Sequence, residues 1–164
     1  MTTREALAEH YRRAGLLEPG ASVDDRLRDR WVRMRIFGRL VPVKPLLGHQ
    51  QAFLLHDVHH LVTGYGTKFR EELALASWEL GSGGCGYYVL FWFNRINALV
   101  LGLLLCPLRT VRALRAGYGL RNLYRRSATE VLDLDFDAVR TYICRDRLPT
   151  DMRRGGSASH PVFS

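Results

Sequence analysis

The sequence predicts an all-α protein. Three observations carry that expectation. Apolar residues recur at helical spacing through most of the chain, Gly and Pro separate those stretches, and no convincing alternating strand is present. At 164 residues the chain can bury one real core but not two comfortable ones. A hydrophobic content of 47% with 24% charged residues excludes a disordered chain. We expect one helical domain over residues 1–150, with about six to seven helices and a long central apolar one. Residues 151–164, containing RRGGSASHPVFS, read as a disordered tail.

The elements follow in order. Thr2-x-x-Glu5 can form a capping box for a helix over 3–14, on which Leu7, Tyr11 and Ala14 share a face. Gly15 and the Pro19-Gly20 pair end it. Ser22-Val-Asp-Asp25 opens a second helix with Leu27, Trp31 and Met34 on one side and Arg26, Arg30 and Arg33 on the other. Pro42 and Pro45 break the chain again. A third helix runs from about Gly48 to Thr63, with Leu47, Leu54, Val58 and Leu61 on its apolar side and Gly64 as its stop. Thr67 can cap a fourth, on which Phe69, Leu73, Ala76 and Leu80 keep the helical period. After the Gly81-Ser-Gly-Gly84 turn come an apolar helix from Tyr87 to Cys106, a sixth from Pro107 to about Tyr124, and a short last helix over Asp135 to Cys144.

The apolar helix has the length of a bilayer span, but Asn94, Arg95 and Asn97 lie near its middle. An arginine at the bilayer centre costs about 2.5–3.5 kcal/mol on the insertion scale. The uninterrupted apolar piece from Ala98 to Cys106 is too short to cross. A core helix or a membrane-docking helix is the better expectation. Net charge is +8, and no Asp or Glu occurs between residues 80 and 129, where Arg95, Arg109, Arg112, Arg115, Arg121, Arg125 and Arg126 fall. That end should carry a positive field suited to phosphate-bearing partners. Arg109, Arg112 and Arg115 read either as contacts for lipid headgroups or as a solvated basic face. Cys85, Cys106 and Cys144 show no CxxC spacing and read as reduced thiols. The charged amphipathic N-terminal stretch has no signal-like apolar region, so the expected location is cytoplasmic.

The chemistry concentrates in His56-Asp57-Val58-His59-His60. Positions i and i+4 stack on one helix face, so His56 and His60 can aim two ring nitrogens at one ion about 2.0–2.1 Å away. Asp57 can be a ligand or an acceptor that orients a ring. Two imidazoles hold a metal poorly, and a further oxygen must come from the next helix. Glu72 sits near the start of that helix, facing back toward His60. Glu79, seven residues on and on the same face, can support the site or face a substrate. His59 points off the shared face and reads as a surface or packing residue. Glu71 reads as solvent-exposed beside Arg70 and Lys68, and His10, His49 and His160 have no partners in the sequence.

His56-Asp57-x-x-His60, eleven residues and then Glu72 resembles the HDxxH-x11-E signature of the coenzyme Q biosynthesis protein four family. Gly64 and the Glu72-Leu73 step sit where that family's pattern has them, and the resemblance extends over roughly residues 25–145. It implies an all-helical protein that holds a divalent metal (zinc, or iron, cobalt or manganese) through His56, Asp57, His60 and Glu72. It further implies peripheral membrane association, with a prenylated quinone precursor or prenyl lipid held against apolar helices. Tyr87, Phe91, Leu99 and Leu103 are the expected lipid-binding residues. The implied activity is metal-dependent decarboxylation or hydroxylation at C1 of a polyprenyl benzoate in ubiquinone biosynthesis. The implied partners are an anionic membrane surface and either other quinone biosynthesis proteins or a second copy of the chain. Two rival classes follow from the residues. One is a non-catalytic prenyl-lipid binder or scaffold with a structural metal. The other, a nucleic-acid binder, is disfavoured because the arginines alternate with apolar core positions and no zinc-finger or recognition-helix pattern is present.

Overall fold

Local signals account for several helix starts and stops in the computed structural model, which describes residues 1–16, 20, 22–28, 32–36, 39–43 and 50–144. The first helix, α1 (Thr3–Arg13), begins at the expected capping box: the Glu5 amide donates to Thr2 Oγ1 and the Thr2 amide donates to Glu5 Oε2. Its Leu7 and Tyr11 are fully buried, as their spacing predicts. A second reciprocal cap, between Ser22 and Asp25, starts α2 (Val23–Arg28).

The chain then departs from expectation. Met34 and Arg33 do not continue α2 but lie in β1 (Val32–Ile36), which pairs antiparallel with β2 (Arg39–Val43) in the register Val32↔Val43, Met34↔Val41 and Ile36↔Arg39. The period of 3.6 read from Arg26, Arg30 and Arg33 competes with a period of 2 in Val-Arg-Met-Arg-Ile. β-Branched Val32, Ile36, Val41 and Val43 favour the extended answer. Pro42 is tolerated because a strand of a two-stranded ribbon always has an unpaired side. Trp31, Arg30, Pro19, Pro45, Leu47, Gly48, His49, His160 and the predicted tail over 151–164 lie outside the described residues.

The remainder is helical: α3 (Gln50–Thr63), α4 (Phe69–Gly81), α5 (Val89–Leu105), α6 (Pro107–Gly117), α7 (Ala128–Asp133) and α8 (Phe136–Cys144). Among the described residues the fold is therefore all-α apart from one small hairpin. Helix α3 stops at Gly64, whose φ of +75° suits a residue without a Cβ and whose amide donates to His60 O at 2.9 Å. The expected Thr67 cap is not used. Lys68 occupies that position with no side-chain hydrogen bond, and Phe69, half exposed, points away from the core. Helix α6 is shorter than predicted and ends at Gly117, where Tyr118 turns to extended backbone. A further helix, α7, forms in the stretch beyond, where none was expected.

One apolar cluster joins the described helices. Leu7 and Tyr11 of α1, Leu55 and Val58 of α3, Leu75 and Trp78 of α4, Leu123 and Tyr124, Val131 of α7 and Ile143 of α8 belong to it. Helix α4 packs closely on both α5 and α6. At its crossing with α6, backbone meets backbone. A Cβ added to Gly117 would stand 2.3 Å from Trp78 O, and one added to Gly81 would stand 2.2 Å from Leu114 O.

Helix α5 is long and apolar but buries little of itself: only Phe91, Arg95 and Gly102 are buried. Tyr87, Val89, Phe93, Leu104 and the neighbouring Leu108 of α6 are all more than two-thirds exposed. No described helix is long and apolar enough to cross a membrane. The three cysteines are free, with Cys85 buried and its thiol pushed up to about 12 by burial.

Candidate metal centre

Helix α3 is buried nearly all round, so its histidines cannot be a solvated polar face. His56, His59 and His60 are all under 10% exposed. The turn at Gly64 brings α4 back beside them, and its Glu72 and Glu79 reach the same imidazoles from two levels. His56 Nε2 lies 3.3 Å from Glu72 Oε2, and His60 Nε2 lies 3.2 Å from Glu72 Oε1. The two rings stand edge to face with centroids 4.7 Å apart, as i and i+4 require.

The other ring nitrogen of each histidine is tied back. His60 Nδ1 donates to the Tyr65 carbonyl at 2.9 Å, which leaves the Nε2 lone pair directed at Glu72. His56 Nδ1 lies 2.8 Å from Glu79 Oε1. One carboxylate thus faces each nitrogen of the His56 ring.

His56, His60 and Glu72 each offer a ligand atom, all within 4.8 Å of one another, and could hold a metal ion. A tetrahedral ion with bonds of about 2.0–2.1 Å separates neighbouring ligand atoms by about 3.3 Å. The N···O contacts of 3.2 and 3.3 Å are of that length and run to the two different oxygens of Glu72. The Glu72 side chain is 38% exposed while His60 is 2% exposed, so the trio opens to solvent on the carboxylate side. Asp57 is not in the trio. Its carboxylate accepts a hydrogen bond from the Tyr11 hydroxyl of α1.

Beneath the trio lies a polar cluster that the sequence does not announce. Glu79, fully buried, accepts at Oε1 from His56 Nδ1 and His59 Nδ1 at 2.8 Å each and from the Tyr124 hydroxyl at 2.6 Å. Its Oε2 faces Arg95 Nε of α5 at 2.5 Å, an ion pair without hydrogen-bond alignment. His59 is not a surface residue but a packing one, its ring against Trp78 and Tyr124, and it is hydrogen-bonded as well. It is fully buried in this cluster, and its Nε2 accepts the Leu123 amide at 3.0 Å. An amide can only donate, so Nε2 is unprotonated and Nδ1 carries the proton given to Glu79.

The charges follow from these contacts. Burial, the largest influence, would raise Glu79, but the Arg95 guanidinium together with His56 and the hydrogen bonds from His56 and His59 holds the carboxyl well below the usual range. Burial alone would lower His56, yet Glu79 and Glu72 raise it to about 9. Glu72 is likewise held low: burial is overcome by its contacts with the His56 and His60 rings. His59 is lowered by burial, and Tyr124 is pushed up by burial and the Glu79 charge. Unassigned His10 of α1 is half-buried and lowered by burial, with Asp57 opposing that shift.

The structure places the remaining candidates less uniformly. Of the expected lipid-binding residues, Tyr87 and Leu103 point outward and Leu99 is half-buried. Phe91 is buried and packs on Phe53, Tyr88 and Tyr124, with Arg95 over its ring at 4.9 Å. Glu71 is half-buried and paired with Arg109, joining α4 to α6. Arg95 had a usable signal in the sequence: a lone charge inside an apolar helix needs a buried partner. Comparison of the chain with protein-family models, with curated proteins and with solved structures finds no match.

Proposed function

We propose that the chain is a metal-dependent protein of prenylquinone biosynthesis, acting on a polyprenylated aromatic ring at a membrane surface. The observation that carries this reading is the convergence of His56 Nε2 and His60 Nε2 on the two oxygens of Glu72, with both Nδ1 atoms occupied elsewhere. Rings held this way turn both Nε2 atoms to one point, the usual preparation for a cation. The HDxxH-x11-E resemblance ties that site to the coenzyme Q biosynthesis protein four family, with Asp57 as a further ligand that would have to leave Tyr11.

A divalent ion held there by His56, His60 and Glu72 would supply positive charge to stabilise an anionic ring oxygen. The protein's own residues do the rest. His56, His60 and Glu72 fix the ion, and the exposed side of Glu72 leaves room for a headgroup. The outward apolar side chains of α5 offer an isoprenoid tail or an acyl layer a surface, worth about 25 cal/mol per Å² buried. Arg109, Arg112 and Arg115 of the following helix α6 are exposed and suit anionic headgroups.

The test is metal analysis of the purified protein together with mass spectrometry of co-purified lipid, then turnover of a prenylated benzoate. Turnover lost in Glu72→Ala with the fold intact supports the enzyme. Bound prenyl lipid with no turnover under zinc, iron, cobalt or manganese would move the assignment to a scaffold. Neither metal nor prenyl lipid would end the proposal.

A further inference from the structure

Three histidines within five residues pose a choice of ligands, and the structure carries a device for making it. The Glu79 carboxylate is fully buried, faces Arg95 of α5, and receives Nδ1 of both His56 and His59 on a single oxygen. With Nδ1 turned to Glu79, the His56 ring has only Nε2 left, and that atom faces Glu72. The same oxygen, together with the Leu123 amide, uses both nitrogens of His59, which has no lone pair left for a cation.

We propose that Glu79, anchored by Arg95, is the positioning residue of the metal site: it commits His56 to bind through Nε2 and removes His59 from the ligand set. This rests on the metal reading above and adds to it which imidazoles bind and through which atom.

Arg95 Nη2 also approaches His56 Nδ1, at 3.0 Å. A guanidinium can only donate, so that contact competes with the one to Glu79 for the Nδ1 position. The carboxylate prevails on two grounds. Its contact is the shorter, and the alternative tautomer would put an Nε2 proton where the cation binds. Arg95 then acts on the carboxylate, not on the ring. The arrangement is a carboxylate–histidine–metal chain with a buried arginine behind it.

Cobalt(II) serves as the probe, since its visible absorption reports ligand number and geometry. Glu79→Gln should weaken cobalt binding about 10–100-fold and shift the absorption bands, because outer hydrogen-bond partners usually contribute that much. Arg95→Lys, which keeps the charge, should recover part of the loss seen in Arg95→Met. Glu72→Ala separates the two readings. If it binds cobalt as tightly as the parent protein, the metal site itself is refuted. If it loses cobalt while Glu79→Gln keeps parental affinity and spectrum, only the positioning inference falls.

A readout on the unaltered protein covers the case in which Glu79→Gln does not fold. Long-range ¹H–¹⁵N spectra of the zinc-loaded protein should show His56 and His59 both protonated at Nδ1, with only His56 and His60 shifted by zinc. A zinc-dependent shift of the His59 ring nitrogens, or a proton on His56 Nε2 in the loaded protein, would overturn the inference.

Discussion

Replacing Arg95 by methionine removes the guanidinium while keeping a long apolar stem for the contact with Phe91. Its effect on stability can be worked from burial. Glu79 is fully buried and Arg95 is 8% exposed, so neither charge has water to fall back on. Breaking such a pair by removing one partner costs about 3–5 kcal/mol. Glu79 keeps three donors, from His56, His59 and Tyr124, which places the expected loss near the lower figure, about 3 kcal/mol. For a chain of this size that corresponds to a melting point lower by about 6–12 °C.

The pH dependence has a definite sign. In the parent protein the Glu79 pKa is depressed on folding, so its contribution is present above the unfolded value of 4.5 and is lost as pH falls. Without Arg95 burial pulls the carboxyl upward relative to the parent, so the variant gains less from the charged form. The gap between parent and variant should therefore be widest near neutrality and narrow toward pH 5. Chemical denaturation in chelator at several pH values measures this. A loss below about 1 kcal/mol at neutral pH, or a gap that widens on acidification, would refute the assignment of Arg95 as the counter-charge of Glu79.

Further outcomes are expected. Glu72→Ala should fold with near-parental stability in chelator, because its side chain is 38% exposed, and should lose the stabilisation by zinc, about 2.7 kcal/mol at a hundredfold excess over Kd. The folded pKa of His56, raised from 6.5 to about 9, stabilises the chelator-treated fold below 6.5 and ceases to do so as pH rises through 9. The advantage of the parent over His56→Gln should therefore shrink by up to about 3 kcal/mol across that window, read by thermal melts. Gly117→Ala drives a Cβ to 2.3 Å from Trp78 O and should cost about 2 kcal/mol or more, whereas substituting exposed Leu104 by serine should leave the melt nearly unchanged. The double variant Phe93→Ser, Leu104→Ser should bind anionic vesicles less tightly than the parent in co-sedimentation, the melt serving as its control.

How much was legible in the sequence depended on the range over which each signal acts. Caps at Thr2 and Ser22 and the stop at Gly64 are settled within four residues, and the structure has all three. The trio was readable because i, i+4 spacing and a turn of known length fix relative positions without tertiary information. The hairpin was missed because Val-Arg-Met-Arg-Ile satisfies two periods at once, and only the pairing partner decides between them. Of the two expectations for His59, packing holds and surface exposure does not, because Leu55, Val58 and His59 are all buried and α3 has no wet face there. Asp57 illustrates the opposite limit: its neighbour Tyr11 is 46 positions away, and no spacing rule foretells that hydrogen bond. Tyr124 and the Leu123 amide reach the cluster from an irregular segment after α6, where periodicity has nothing to report.

The seam between α4 and α6 has a consequence for everything that α4 carries. Where main chain abuts main chain there are no rotamers to reshuffle, so α4 is pinned in height and rotation by groups that side-chain drift elsewhere in the core cannot adjust. Both acidic side chains that grip His56 hang from that pinned rod, one near its first turn and one near its last. Their vertical spacing relative to the rings of α3 is thereby a property of the backbone, insensitive to how neighbouring leucines repack.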